Sequence, residues 1–216
     1  MGSAEGFDNE MPAHRVRLDR FALARFPVTN REFRVFLDET DAAPPPFCSD
    51  PMFSHPEQPV VGVSWFDATA YCAWLSARTG KTFRLPTEAE RERAARGGRK
   101  ACLYPWGDAL PSERPYPGCD QKTGGPLRVG SNPPNDFGLH DMSEGVHEWC
   151  SDFYDPGYYH YSPANNPQGP ASGQRRSSRG GSWRHRIKFS RCAQRSSLPP
   201  DFKYADYGFR IATSLA

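Results

Sequence analysis

Long apolar runs are missing from this sequence. Nothing approaches the roughly eighteen apolar residues that a membrane span needs, and the charged opening segment contains no apolar leader. A soluble, cytoplasmic chain without a membrane partner is therefore expected. A large charge of one sign is missing too. The formal net charge of +2 is too small to make the whole surface a nucleic-acid or anionic-membrane binder, so an electrostatic partner has to be recognised by a local patch. Cysteine is sparse: six residues in a chain of 216 do not make a disulfide scaffold, and none has the spacing of a zinc knuckle. Isolated buried thiols, with at most one close pair, are expected. There is no glycine-rich phosphate loop ahead of a helix and no fixed-period repeat, and no low-complexity tract exceeds Pro44-Pro45-Pro46. Gly181-Ser182-Trp183 lacks the following glycine of a nucleophile elbow, and Gly6 stands where a myristoylation signal needs Ser or Thr.

What is present is turn-forming residues: 19 glycines and 22 prolines, nearly a fifth of the chain, so loops should dominate over long helices and strands. A hydrophobic content of 37% with 13% aromatics is enough for one core, and the expectation is a single domain over 1–216. Three short helices are marked by their caps. Thr29-Asn30-Arg31-Glu32 is a capping box followed by Phe33, Phe36 and Leu37 on one face. Ser64 opens a second helix, in which Ala68, Tyr71, Cys72 and Leu75 turn inward before a left-handed stop at Gly80. Thr87 to Glu90 is a further capping box, running through Ala94 and Ala95 to Gly97-Gly98. Beyond it the pattern predicts short strands, such as one at Arg15-Val16-Arg17-Leu18, under long ordered loops, with 155–178 an exposed loop.

Read in order, Arg25-Phe26-Pro27-Val28-Thr29-Asn30, Val63-Ser64-Trp65-Phe66-Asp67-Ala68, Arg84-Leu85-Pro86-Thr87-Glu88-Ala89-Glu90, Tyr104-Pro105-Trp106-Gly107-Asp108, Asn135-Asp136-Phe137-Gly138-Leu139-His140-Asp141-Met142, Arg179-Gly180-Gly181-Ser182-Trp183 and Gly208-Phe209-Arg210 resemble the formylglycine-generating-enzyme (sulfatase-modifying factor) family. The resemblance covers nearly the whole chain. It implies an α+β, C-type-lectin-like fold of low regular secondary structure, with three short helices and small antiparallel sheets, its C-terminal third surrounding a surface pocket. The family opens with a strand ending in Met-Gly-Ser, the first three residues here, so the expected domain lacks that strand.

The fold hosts oxidases, non-heme iron enzymes and non-catalytic ligand-display proteins, so the site has to decide. In the family's oxidase, Gly-Gly-Ser is followed by about eleven residues with two cysteines and then Arg-Cys-Ala, and the thiolate pair holds copper. Here eight residues, Trp183 to Ser190, separate Ser182 from Arg191-Cys192-Ala193, and none is a cysteine. No copper is expected and no catalytic residue is assigned. The resemblance makes Cys192 a structural cysteine whose partner lies on the helix carrying Cys72, as a disulfide or as two buried thiols. It also implies a calcium site at Gly-Leu-Tyr-Asp-Met-x-Gly-Asn-Val-Trp-Glu-Trp. Here Gly145 and His147 replace the Asn and the aromatic, leaving the Val146 carbonyl and Glu148 for Ca2+. His140 and His147 have a spacing that suits a transition metal, while an iron enzyme would need two His and a carboxylate and, in this family, segments outside the domain.

A basic cluster remains: Arg175, Arg176, Arg179, Arg184, His185, Arg186, Lys188, Arg191 and Arg195. The resemblance assigns Arg179, Arg191 and Arg195 to internal pairing and makes Arg210 of Gly-Phe-Arg a structural residue. Trp183, Arg184, His185, Arg186, Lys188, Phe189, Gln194, Phe202, Tyr204 and Asp206 then form a recognition surface. Arginine and aromatic side chains give forked hydrogen bonds and contact area at modest entropy cost. The partner is a protein or an anionic or polar ligand. Two alternatives stay open. One is a family enzyme, an oxidase with relocated cysteines or another metal-dependent oxidase. The other is a retroelement-diversified variable protein, against which Lys188 and Gln194 argue, because mutagenised adenine codons of that system largely exclude them.

Overall fold

The computed structural model describes residues 1–110 and 124–215. All three capping boxes form: Thr29 accepts from the Glu32 amide to open α1 (Asn30–Asp38), Ser64 from the Asp67 amide to open α2 (Trp65–Thr79), and Thr87 from the Glu90 amide to open α3 (Glu88–Ala95). In each the third helical residue, Glu or Asp, reaches back to the cap amide. Gly80 ends α2 at φ 69°, a left-handed conformation that costs a glycine nothing.

The strands are short. β1 (Phe21–Leu23) pairs antiparallel with β6 (Ala212–Ser214), tying the two ends of the chain together. β2 (His147–Phe153), β3 (Arg176–Arg179), β4 (Ser196–Leu198) and β5 (Tyr207–Gly208) form a second sheet in the order β4-β3-β2-β5. Its ladders are antiparallel except that of β2 with β5, where His147 stands beside Tyr207 in parallel register. The segment 15–18 makes no strand; its pairing is a single bridge from Arg17 to Asn165. Nor is 155–178 wholly an exposed loop. Tyr158 and Tyr159 are buried, and 176–178 enter β3, because aromatic bulk in this stretch covers the arginines behind it.

The main core joins the inner faces of α1 and α2 (Phe33, Phe36, Ala68, Tyr71, Cys72) to Trp149 of β2 and to Tyr207 and Phe209. A second cluster gathers Ala94 and Ala95 of α3 with Cys102, Met142 and Cys192. This division corrects the expected Cys72–Cys192 pair. Cys72 lies in the main core cluster with Tyr71 and Phe209, whereas Cys192 clusters with Ala94 and Ala95 at the end of α3, where its thiol hydrogen-bonds Cys102. That bond brings Cys102 down to about 7, against its burial and with help from Arg96. Mild oxidation with diamide is expected to join Cys102 to Cys192 and leave Cys72 open to alkylation after unfolding. A peptide map containing a Cys72–Cys192 link would contradict this packing.

α3 places charge where a core helix would place hydrocarbon: Glu88, Arg91 and Glu92 are each about 1% exposed. Glu148 of β2 lies between two guanidiniums, with Arg91 Nε at 2.6 Å and Arg210 Nε at 3.0 Å. Glu88 accepts from Arg195 Nε at 2.7 Å and pairs with Arg179, which also pairs with Glu92 and donates to the Tyr159 hydroxyl. Burial works against ionisation of Glu148, but Arg210 and Arg91 outweigh it and hold its carboxyl below the ordinary value. The same balance holds Glu88 down through Arg195 and Arg179. The motif arginines thus pin the C-terminal third to α3.

Candidate functional site at the C-terminal loops

The loop 182–190 is held at both ends before any ligand is considered. Gly181 has φ 66°, and a Cβ there would meet Ser190 Oγ at 2.6 Å and the Phe189 carbonyl at 2.8 Å, so only glycine lets the loop close on its own stem. Trp183 N donates to the Gly145 carbonyl at 2.9 Å, and Ser143 Oγ to the Ser190 carbonyl at 2.6 Å. The Trp183 ring packs with Phe53, Val61 and Val146. A single helical turn, Ile187–Phe189, carries the tip.

Arg184 is anchored rather than free. Its Nε and terminal nitrogen donate to the two Asp206 oxygens at 2.9 and 2.7 Å, with the Arg184 side chain 46% exposed and Asp206 1%. Ser182 Oγ donates to the same carboxylate at 3.1 Å. Asp206 is therefore the buried anchor of the loop and not a rim group, a correction that follows from the bend before β5 turning it inward. Gln194 is corrected too. It is buried, donating to the Arg195 carbonyl and accepting from Arg191, and so belongs to the support. Arg191 also grips Glu10 through both carboxylate oxygens at 2.6–2.7 Å.

The rim consists of Arg186 and Lys188, both exposed, with half-buried Phe189 and exposed Phe202 and Tyr204. Lys188 Nζ stands 5.0 Å from the centre of the Phe189 ring, within cation–π range. The Phe202 and Tyr204 rings meet edge to face at 5.7 Å. Lys203 is committed to Asp67. Among the described residues, neither Arg186 nor Lys188 has an acidic partner.

Behind the rim, His147 Nε2 and His185 Nδ1 lie 3.1 Å apart, and His147 stacks on Tyr207. Burial first, then His185 and Arg184, push His147 down to about 3, and burial lowers His185 as well, against the pull of Asp206. Both shifts favour the neutral imidazole. One potential ligand atom from each of His147, His185 and Asp206 lies within 4.8 Å of the others. The sequence reading did not see this trio. Its members stand far apart in the chain: the β2–β5 register sets His147 beside Tyr207, next to Asp206, and the loop 182–190 brings His185 to them.

His140 does not join His147. Its ring contacts the Asn132 carbonyl at 2.8 Å and Arg25 at 3.2 Å, beside Phe26. The calcium expectation at Val146 and Glu148 also fails on fit, because both Glu148 oxygens are taken by Arg91 and Arg210 and a cation there would face two guanidiniums. No cysteine stands in 183–190. An apolar cavity of about 400 Å³ shares Phe47, Phe53 and Val61 with the Trp183 cluster but is not lined by the rim cations.

The sequence model of the sulfatase-modifying factor enzyme 1-like domain matches residues 1–215. The formylglycine-generating enzyme of Streptomyces coelicolor is 36% identical over 98% of this chain and 85% of its own length. The serine/threonine-protein kinase pkn1 of Chlamydia pneumoniae is also 36% identical over 99% of this chain, which spans only 36% of that protein's length. Among solved structures, Treponema denticola variable protein 1 superposes with a TM-score of 0.86 at 25% identity, covering 99% of this chain and 91% of its own. These likenesses agree with the α+β, C-type-lectin-like fold expected from the motifs.

Proposed function

The chain belongs to the sulfatase-modifying factor enzyme 1-like family, and from that premise we propose that it is a non-oxidase member, a module that binds an anionic ligand or protein surface through its C-terminal loops. The observation that carries the proposal is the pair of exposed cations Arg186 and Lys188, without acidic partners among the described residues, on an aromatic rim. Their loop is already ordered by Gly181, Ser182, Trp183 and the Arg184–Asp206 pair, so little entropy is lost when a partner docks. The ligand surface is Trp183, Arg184, His185, Arg186, Lys188, Phe189, Phe202 and Tyr204. Likeness to a variable protein supports a display role for this region, and the burial of Gln194 removes one of the two residues that spoke against diversification.

A second reading has an observation of its own. The Cys102–Cys192 contact is a thiol pair outside the loop, as an oxidase with relocated cysteines would require. A copper-loaded sample incubated with a peptide carrying the Cys-x-Pro-x-Arg signal separates the two. The binding reading expects the peptide cysteine unchanged by mass spectrometry. Conversion of its CH2–SH group to an aldehyde would establish the oxidase instead.

A further inference from the structure

Three residues that no family motif couples meet behind the rim: His147 at the start of β2, His185 in the loop, and Asp206 just before β5. The 3.1 Å between His147 Nε2 and His185 Nδ1 is close to the roughly 3.3 Å that separates two nitrogens bound at about 2.0–2.1 Å to one tetrahedral ion. One ligand atom from each of His147, His185 and Asp206 lies within 4.8 Å of the others, and a rotation of the His185 ring or of the Asp206 carboxylate brings the three to one ion. Ser182 already fixes that carboxylate by a 3.1 Å hydrogen bond, the outer-shell support that metal-binding carboxylates need. His147 is 3% exposed, so the partner of its Nε2 has to come from the protein or from a bound ion and not from bulk water.

We propose that His147, His185 and Asp206 form a site for one divalent transition ion, with zinc the ion best suited to two imidazoles and one carboxylate, and with a fourth position open toward the rim. Oxygen-seeking calcium and magnesium are disfavoured by the two nitrogen donors. The opening is on the side of His185 and Arg184, whose side chains are 33% and 46% exposed. Arg184 and the ion compete for Asp206. Each neutralises the buried carboxylate, and the half-exposed guanidinium can move into solvent when an ion takes its place. This inference goes beyond the binding reading and does not rest on it.

Titration of the metal-free protein with Co2+, read by its visible ligand-field absorption, followed by displacement with Zn2+, tests the site. The expected result is one saturable ion per chain. His185→Ala, a change in a loop side chain that leaves the core intact, should weaken binding by more than the roughly 10–100-fold typical of outer-shell changes, and Asp206→Asn should do likewise. Arg184→Ala should tighten binding by removing the competitor, and His140→Ala should leave it unchanged. Circular dichroism of each variant checks that it is folded. No saturable binding by the parent, undiminished binding by folded His185→Ala, or cobalt–thiolate charge-transfer bands showing cysteine ligands would each overturn the proposal.

Discussion

Glu148→Ala is expected to remove most of the protein's stability. Glu148 is fully buried and its two oxygens take four hydrogen bonds from Arg91 and Arg210. Loss of the carboxylate strands both guanidiniums, themselves about 0–1% exposed. Breaking one buried pair costs about 3–5 kcal/mol, and here one substitution breaks two. A domain of ordinary stability, about 5–15 kcal/mol, has little margin for that. Urea unfolding should find Glu148→Ala either unfolded in buffer or with a sharply lowered midpoint. Glu148→Gln keeps the shape but not the charge and should fall between it and the parent. A midpoint for Glu148→Ala near that of the parent would mean that the arginine network does not hold the C-terminal third in place.

Asp152→Asn is expected to act in the opposite direction and only above acidic pH. Burial, then the nearby Glu88 carboxylate, raise Asp152 from its ordinary range to about 7, so the fold prefers it protonated. The stabilising preference is complete below the unfolded value, near 4, and is lost as pH rises through about 7. At about 1.4 kcal/mol per unit, this removes on the order of 3–4 kcal/mol by pH 8. The side chain's structural duty is to accept from the Glu88 amide at 2.8 Å at the start of α3, which an Asn carbonyl oxygen also does. Thermal melts should therefore show parent and variant alike near pH 4 and the variant more stable at pH 8. A gap that stays constant with pH, or a less stable variant at pH 8, would contradict the buried-acid account.

The sequence disclosed whatever is decided locally. Thr29, Ser64 and Thr87 with their acidic partners three residues on, and Gly80 after α2, state the helix ends because capping involves only neighbours in the chain. It did not disclose α3's environment. Glu88, Arg91 and Glu92 resemble a solvated helix face, and are buried because Arg179, Arg195, Arg210 and Glu148 arrive from distant segments to pair them or their partners. The resemblance gave those arginines internal roles, and Arg179, Arg195 and Arg210 each pair with a buried carboxylate. It failed for Cys192, since a matching position does not say which neighbouring thiol the side chain meets, and here that thiol is Cys102. At the candidate site the rim residues Arg186, Lys188, Phe202 and Tyr204 were legible from type and position. The inward turn of Asp206 and Gln194, and the meeting of His147 with His185, depend on tertiary register and carry no local signal.

The binding claim rests on Arg186 and Lys188, and the most direct measurement is titration of a fluorescently labelled poly-aspartate peptide into the parent, Arg184→Ala and the Arg186→Ala/Lys188→Ala double variant at low and high salt, with melts in parallel. The double variant should melt within about 1 kcal/mol of the parent, as expected for exposed charges, while its affinity falls and the salt dependence flattens. Arg184→Ala should instead lose stability, about 1–3 kcal/mol for an acceptor left unsatisfied, because Asp206 is buried and its partner only half so. Peptide binding by the parent that the double variant leaves unchanged, or no binding by the parent at all, would contradict the account.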